Sequence, residues 1–519
     1  MTMYLTQGLH RSWRSQPDHA ATIFGERRRT YREFVDRVAR LAGALETLGM
    51  GAGDRVGMLA LNSDRYLEFF YGTWWGGGAV NPINIRCSSA EIAYSLDDCA
   101  TRILLVDDQF KHLADEIRCR SKMLRTLVYA GDGVTPEGML NYEQLLAHAD
   151  PVPDTYRAGT DLAAVMYTGG TTGFPKGVML SHSNLATNSL AVIAAGITHA
   201  EGRALLIAPL FHAAAGALMH GHVMAGGTCV IVPLFTAVAT LRAIQQHRIT
   251  HLLLVPTMIQ LATDYPQADE YDVSTLRVLT YGGSVISEAV LGRAMKRFPN
   301  ADFYQAYGMT ELSPCATYLE PRDHREGGKC GLLRSAGRAS LATEVRVVDE
   351  CDVEVPQGTV GEVVVRGATV MLGYWNKADE TATALRGGWM HTGDGGYMDE
   401  NGYLYIVDRM KDMIISGGEN VYSAEVENSL ALHPAVAVCA VIGIPSDQWG
   451  ETVHAVVVLK PGASATTDEL SAHCRTQIAG FKCPTSIEFR DALPMTGAGK
   501  VQKTELRKPF WGGRFRAVN

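Results

Sequence analysis

Residues 30–50, TYREFVDRVARLAGALETLGM, carry apolar side chains at the three- and four-residue spacing of an amphipathic helix. Thr30 and Glu33 match a capping box at its start. Short apolar runs then alternate with helical stretches: RVGMLAL, ATRILLVDD, TLVYAG, LAAVMY, ALLIAPL, GTCVIVPLF, THLLLVP and LRVLTYGG. Such alternation predicts an α/β fold, with mostly parallel sheets wrapped by helices. From about residue 340 the texture changes. EVRVVDE, GEVVVRG and GYLYIVDR read as short strands separated by turns, a small β-barrel region. After Arg409, SAEVENSLALHPAVAVCAVIGI and HAVVVLK begin a compact α+β unit. The expected organisation is a large N-terminal domain, 1–408, and a small mobile C-terminal domain, 409–519. A hinge is expected near Lys411, because hinges occupy a few element-terminal residues.

Charge and cysteine usage narrow the function classes. The formal net charge of −8 argues against a general nucleic-acid binder. Ten cysteines are scattered through the chain with no C-x-x-C pair, which points to reduced thiols in a cytoplasmic protein. The first twenty residues hold Arg11, Arg14 and Asp18 and no apolar core, so no signal peptide is expected. The longest apolar region, 204–235, is broken by Pro209, His212, His220 and His222, so no membrane span is expected either. The C-terminus, RFRAVN, carries no peroxisomal or lipidation signal.

One stretch carries a specific chemistry. YTGGTTGFPKGV, 167–178, places four glycines, Thr168, Thr171, Thr172 and the single cation Lys176 within twelve positions. Glycine lets a backbone approach a ligand closely, and successive N–H groups form an anion site. The loop is expected between a strand, DLAAVMY, and a helix beginning in VMLSHSNLATNSL. It is not the common P-loop, because Pro175 precedes Lys176 and Gly177 follows it. In DFYQAYGMTE, Tyr307 offers a ring to a base, Thr310 a hydroxyl to phosphate and Glu311 a carboxylate to Mg²⁺. A strand end with a polar turn is the plainer alternative. In GWMHTGD, Asp394 is able to take two ribose hydroxyls or to cap a turn. LPMTGAGKVQKTELR sets Lys500 in a glycine-rich turn near the end of the chain.

YTGGTTGFPKGV, YQAYGMTE, GWMHTGD, YIVDRMKDMIISGGEN and PMTGAGKVQKTELR, in this order, resemble the adenylate-forming superfamily of acyl-CoA synthetases, peptide-synthetase adenylation domains and firefly-type luciferases. The resemblance spans nearly the whole chain. It implies that a carboxylate attacks the α-phosphate of ATP to give an acyl-adenylate and pyrophosphate. The thiol of coenzyme A then displaces AMP. The cofactors implied are ATP, Mg²⁺ and coenzyme A. By motif position, Thr168, Gly169, Gly170, Thr171, Thr172, Gly173 and Lys176 cradle the β- and γ-phosphates. Gly169 stands where the family usually has serine, which removes one hydroxyl donor. Tyr307 and Gly282, Gly283 and Ser284 flank the adenine, with Gly308 in the same turn as Tyr307. Thr310 meets the α-phosphate, Glu311 binds Mg²⁺, and Asp394 and Arg409 hold the ribose. Lys500 bridges the attacking carboxylate and the phosphate. Lys411 is the hinge about which Lys500 is withdrawn, and Gly417 and Gly418 then line a thiol tunnel. His212 sits at the mouth of the acyl pocket. The candidate catalytic residues are Lys500, Thr172, Glu311 and His212.

The acid is less defined. Amino-acid-activating relatives carry an aspartate near the start of the pocket region, and no acidic residue lies between 202 and 262. PLFHAAAG contains no arginine, which disfavours dicarboxylates. An apolar acid follows, with fatty, cyclic and aryl acids all open. A carrier-protein thiol in place of coenzyme A is the alternative acceptor, and a homodimer is left open.

Overall fold

The computed structural model describes residues 3–168, 175–327, 331–409, 412–416, 419–446, 448–496 and 500–512. The predicted capping box is present: Thr30 caps the helix Tyr31–Thr47, and Glu33 bonds back to the Thr30 N–H at 2.7 Å. All eight apolar runs are strands, arranged in two large sheets. In the eight-stranded sheet, Arg55–Leu59 pairs in parallel with Ala79–Pro82 and Ile103–Val106. In the nine-stranded sheet, Arg203–Leu206, His251–Leu254, Val278–Gly282 and Asp302–Gly308 run parallel side by side. Strands covered on both faces must be apolar throughout, which is why these segments read as continuous runs. One apolar cluster unites the helices Tyr31–Thr47, Asp64–Trp75 and Ala213–Ala225 with strands of both sheets.

The phosphate-loop expectation is corrected in one respect. Residues 176–181 form a strand, not a helix start, so the glycine-rich segment joins two antiparallel strands, Leu162–Thr168 and Lys176–Ser181. The helix begins only at His182, capped by Ser181. Val178 and Leu180 pair with Met166 and Ala164, and that pairing outweighs the helical propensity of VMLS.

Two smaller sheets follow. Thr343–Val348, Gly361–Gly367, Met390–Met398 and Leu404–Arg409 form a four-stranded antiparallel sheet. The last sheet combines Ile414–Ser416, Glu419–Val421, Val436–Ser446, Gly450–Leu459 and Ser486–Phe489. It buries its own cluster around Ile414, Val426, Val441 and Leu470. Among the described residues all nine cysteines are free, and no helix is long and apolar enough to cross a membrane.

Candidate active site

The adjacent parallel strands Val278–Gly282 and Asp302–Gly308 end together, and their glycines shape the site. A Cβ at Gly282 would overlap the Ala306 carbonyl oxygen, and one at Gly308 would overlap that of Pro314. Gly283 has φ +82°, and a Cβ there would lie 3.3 Å from Lys500 Cε and 3.8 Å from Nζ. Glycine at 283 therefore serves both a left-handed backbone and the approach of Lys500. Ser284 beside it is exposed. Burial pulls the Lys500 ammonium below the usual lysine range, Arg409 adds to this, and Asp394 and Glu311 oppose it. His212 caps the helix Ala213–Ala225, its Nδ1 accepting from the Ala214 N–H at 3.3 Å. Burial, and then the charge of Lys500, push this imidazole down to about 4, so it is neutral at pH 7.

Asp394 and Arg409 face each other across the antiparallel strands Met390–Met398 and Leu404–Arg409. Arg409 Nε lies 3.0 Å from Asp394 Oδ1, and Tyr307 Oη donates to Oδ2 at 2.8 Å. Each carboxylate oxygen keeps a further lone pair, so Asp394 is still able to accept from a vicinal diol. The phenol of Tyr307 is raised well above its ordinary value by burial and by Asp394.

Glu311 lies in the short turn Thr310–Leu312 and is 6% exposed. Thr310 is half-buried beside it. Tyr374 Oη donates to Glu311 Oε1 at 2.9 Å. The ring of Tyr374 in turn carries Lys176 Nζ at 5.1 Å from its centroid. This pairing is built by the sheet, since Tyr374 bonds in register with Val178, two residues from Lys176. Burial pushes the Glu311 carboxyl up, while the Tyr374 bond, Arg409 and Lys176 hold it down. No group of three His, Cys, Asp or Glu able to hold a metal occurs among the described residues. A single buried carboxylate of this kind fits Mg²⁺, which is commonly held by one or two carboxylates plus substrate phosphates.

The turn bearing Lys500 is braced from within and from outside. Lys500 N donates to Thr496 Oγ1 at 3.0 Å, and Thr496 N to the Lys500 carbonyl at 2.6 Å. Arg86, from the large N-terminal part, donates through Nη1 to the carbonyls of Met495 at 3.3 Å and Thr496 at 2.9 Å. The structure thus brings together Gly282, Gly283, Gly308, Tyr307, Glu311, Asp394, Arg409, His212 and Lys500. Thr168 and Lys176 flank the glycine-rich segment at paired positions. Gly169, Gly170, Thr171, Thr172, Gly173, Lys411, Gly417 and Gly418 lie outside the described residues. Tyr374 and Arg86 escape sequence reasoning, because nothing in MLGYWN or NIRCSS marks them locally.

Lys500, late in the chain, thus lies against Gly283 at the C-terminal end of a parallel strand, within electrostatic reach of Arg409, Asp394 and Glu311. Two family models match the chain: AMP-binding enzyme over residues 9–375 and AMP-binding enzyme C-terminal domain over 425–500. A feruloyl-CoA synthase of Amycolatopsis sp is 40% identical over 498 residues, covering 96% of this chain and 97% of the relative. The fatty acid–[acyl-carrier-protein] ligase ScoC of Streptomyces coeruleorubidus is 36% identical, covering 97% and 96%. The anthranilate CoA ligase AuaEII, solved with anthranoyl-AMP, superposes with a TM-score of 0.90 at 27% identity, covering 98% and 97%. The chain belongs to the AMP-binding enzyme family, among its AMP-forming acyl-CoA ligases.

Proposed function

We propose that this ligase activates a compact aryl carboxylic acid and passes it to coenzyme A. The observation that carries the aryl reading is the depth of the space below Gly282. Along Val278–Gly282, Leu279 and Tyr281 belong to one apolar cluster, while Val278 packs with Tyr304 and Val192 on the opposite face. Gly282 and Thr280 share the face of Val278. Leu253, level with Thr280 on the next strand, is half-buried, although Leu252 and Leu254 beside it are fully buried. His212, Ala214, Ala306 and Met309 around the entrance are half-buried too. One pleat below Gly282 the layer closes, with Thr280 3% exposed and, beneath it, Val278 4% and His251 2%. The column is thus about one pleat repeat, ~7 Å, below Gly282. That suits a ring and not a long extended alkyl chain. The feruloyl and anthranilate ligases among the relatives support the same reading.

In the proposed reaction, Lys500 Nζ orients the carboxylate oxygen toward the α-phosphorus. That oxygen bonds to phosphorus as the bond to the β-phosphate bridge breaks, and pyrophosphate leaves. Lys176, with Thr168 at the other end of its segment, holds the departing phosphates. Asp394 and Arg409 orient the ribose, and Tyr307 stacks on the base. Mg²⁺, bound with ATP through Glu311, supplies charge neutralisation. Preorganised donors where charge develops account for the rate. The coenzyme A sulfur then bonds to the acyl carbon, its proton passing to solvent, and AMP leaves. A boundary at residues 408–409, with rotation about Lys411 between the steps, supplies the second geometry. The separate core of the last sheet supports that boundary.

The test is pyrophosphate release over aryl, cyclic and long-chain acids, with and without coenzyme A. Multi-turnover release for aryl acids only with coenzyme A supports the proposal, and turnover with long-chain acids alone refutes it. Lys500→Ala is expected to lower adenylation by about 10²–10³-fold and to spare thioester formation from preformed adenylate. The 36% relationship to a carrier-protein ligase favours one second reading, a carrier-protein thiol as acceptor. Release stalling near one turnover despite saturating coenzyme A selects it.

A further inference from the structure

We infer that the enzyme carries a second, non-catalytic ligand site, an arginine-lined cavity at the start of the eight-stranded sheet that takes a small phosphate monoester. It goes beyond the ligase reading and does not depend on which acid is activated.

Three arginines form a row there. Strand Thr126–Tyr129 lies beside Ile103–Val106, which lies beside Arg55–Leu59, all parallel. Val56 pairs with Ile103, and Ile103 with Thr126. Arg55, Arg102 and Arg125 each stand one residue earlier, so they share one level across adjacent strand starts. Neighbouring strands are ~4.8 Å apart, and residues at one level of in-register strands project to the same side. All three arginines line one cavity of about 210 Å³. Buried Met50 and Ile103 give it an apolar wall, and half-buried Thr126 adds a hydroxyl. None of the residues placed in the active site lines it.

The row carries more charge than its surroundings answer. Like charges facing each other on neighbouring strands are destabilising. Asp54 is the one carboxylate among the lining residues, with Oδ1 3.9 Å from Arg55 Nη1. Arg55 is otherwise fixed by neutral partners. Its Nε donates to the Cys99 carbonyl and its Nη1 to that of Gly53 at 2.9 Å, and its guanidinium lies 4.9 Å from the Trp375 ring centroid. Arg125 Nη1 donates to the carbonyls of Lys122 at 2.7 Å and Leu124 at 3.2 Å. Carbonyl oxygens orient a guanidinium without cancelling its charge. The Arg102 side chain is exposed, and among the described residues it has neither a hydrogen bond nor an ion pair. Three cations against Asp54 leave the lining with an excess of positive charge that a dianion would neutralise. A phosphate monoester offers that charge and three terminal oxygens to three forked donors, whereas a carboxylate offers one charge and two oxygens. The cavity is smaller than the ~300–1,000 Å³ typical for drug-sized ligands, so the group attached to the phosphate must be compact.

The experiment is calorimetric titration of the full-length enzyme with inorganic phosphate, glycerol 3-phosphate and acetate, at mildly alkaline pH and an ionic strength held constant with chloride. The Lys176→Ala variant weakens phosphate binding at the active site and so isolates the cavity. The paired substitution Arg102→Gln/Arg125→Gln removes two charges from the row. Arg28→Gln/Arg242→Gln makes the same charge change at exposed positions on strand Arg27–Thr30 and helix Ala237–His247. Both phosphates are expected to bind wild type and Lys176→Ala alike, about tenfold or more tighter than acetate. Arg102→Gln/Arg125→Gln should weaken them by about tenfold or more, and Arg28→Gln/Arg242→Gln should not. In chloride alone the Arg102→Gln/Arg125→Gln enzyme should keep its adenylation rate and show an equal or higher thermal midpoint, because repulsion in the row is relieved. Phosphate binding that this pair leaves unchanged, that the control pair weakens equally, or that Lys176→Ala abolishes overturns the site. Acetate binding as tightly as phosphate overturns the phosphate assignment.

Discussion

Arg86 is the sharpest handle on the pose in which Lys500 enters the site. Its guanidinium bonds the carbonyls of Met495 and Thr496, and Thr496 is tied to Lys500 by two further hydrogen bonds. Arg86→Ala removes the outer grip and leaves the inner one intact. Hydrogen bonds from a charged donor contribute about 1.5–3 kcal/mol. Arg86 is exposed, and solvent screening lowers this to roughly 0.5–1 kcal/mol for each bond. Losing both shifts the inserted pose by about 1–2 kcal/mol, a fall of roughly 5- to 30-fold against the withdrawn pose. Single-turnover pyrophosphate release from ATP and acid should slow by that factor. Thioester formation from preformed acyl-adenylate and coenzyme A should be unchanged or faster. The coupling to Lys500 is directly measurable. In a Lys500→Ala background Arg86→Ala should have little further effect on adenylation, because the side chain it positions is gone. Equal losses in both half-reactions, or full additivity with Lys500→Ala, would refute a positioning role for Arg86.

Other perturbations probe the site and the core. Tyr374→Phe removes the hydrogen bond to Glu311 Oε1 and keeps the ring under Lys176. Because that bond holds the carboxyl down against burial, its loss should move the acid limb of adenylation to higher pH and raise KM for MgATP about three- to tenfold. A KM and acid limb identical to wild type would count against Glu311 as the Mg²⁺ ligand. Burial lowers His182 to about 4, His220 to about 3 and His222 to about 4, from an ordinary 6.5. The unfolded chain therefore binds more protons as pH falls below about 6.5. Stability should be level above that pH and fall toward pH 4 by up to about 1.4 kcal/mol per unit for each histidine. Thermal midpoints across pH 4–8 measure this, and a flat profile below pH 6.5 would overturn it.

What the sequence reveals here divides by the range of the interactions involved. The Thr30–Glu33 capping box and the eight buried strands are legible because their causes lie within a few residues: a cap three positions ahead, an apolar run flanked by turns. VMLS reads as the start of a helix because its tertiary partner is invisible locally. Only pairing with Leu162–Thr168 makes it a strand. The site follows the same division. Gly282 and Gly308 stand out as glycines, yet the reason for glycine is a carbonyl from another strand or turn, Ala306 for one and Pro314 for the other. Lys500 is visible through its motif. The two side chains that give it and Glu311 their surroundings are not: Arg86 lies 410 positions from Thr496, and Tyr374 lies 63 from Glu311. Substrate choice is hardest to read locally, because the residues around the site entrance come from strands far apart in the sequence, such as Leu253 beside Thr280 and Gly282 beside Ala306.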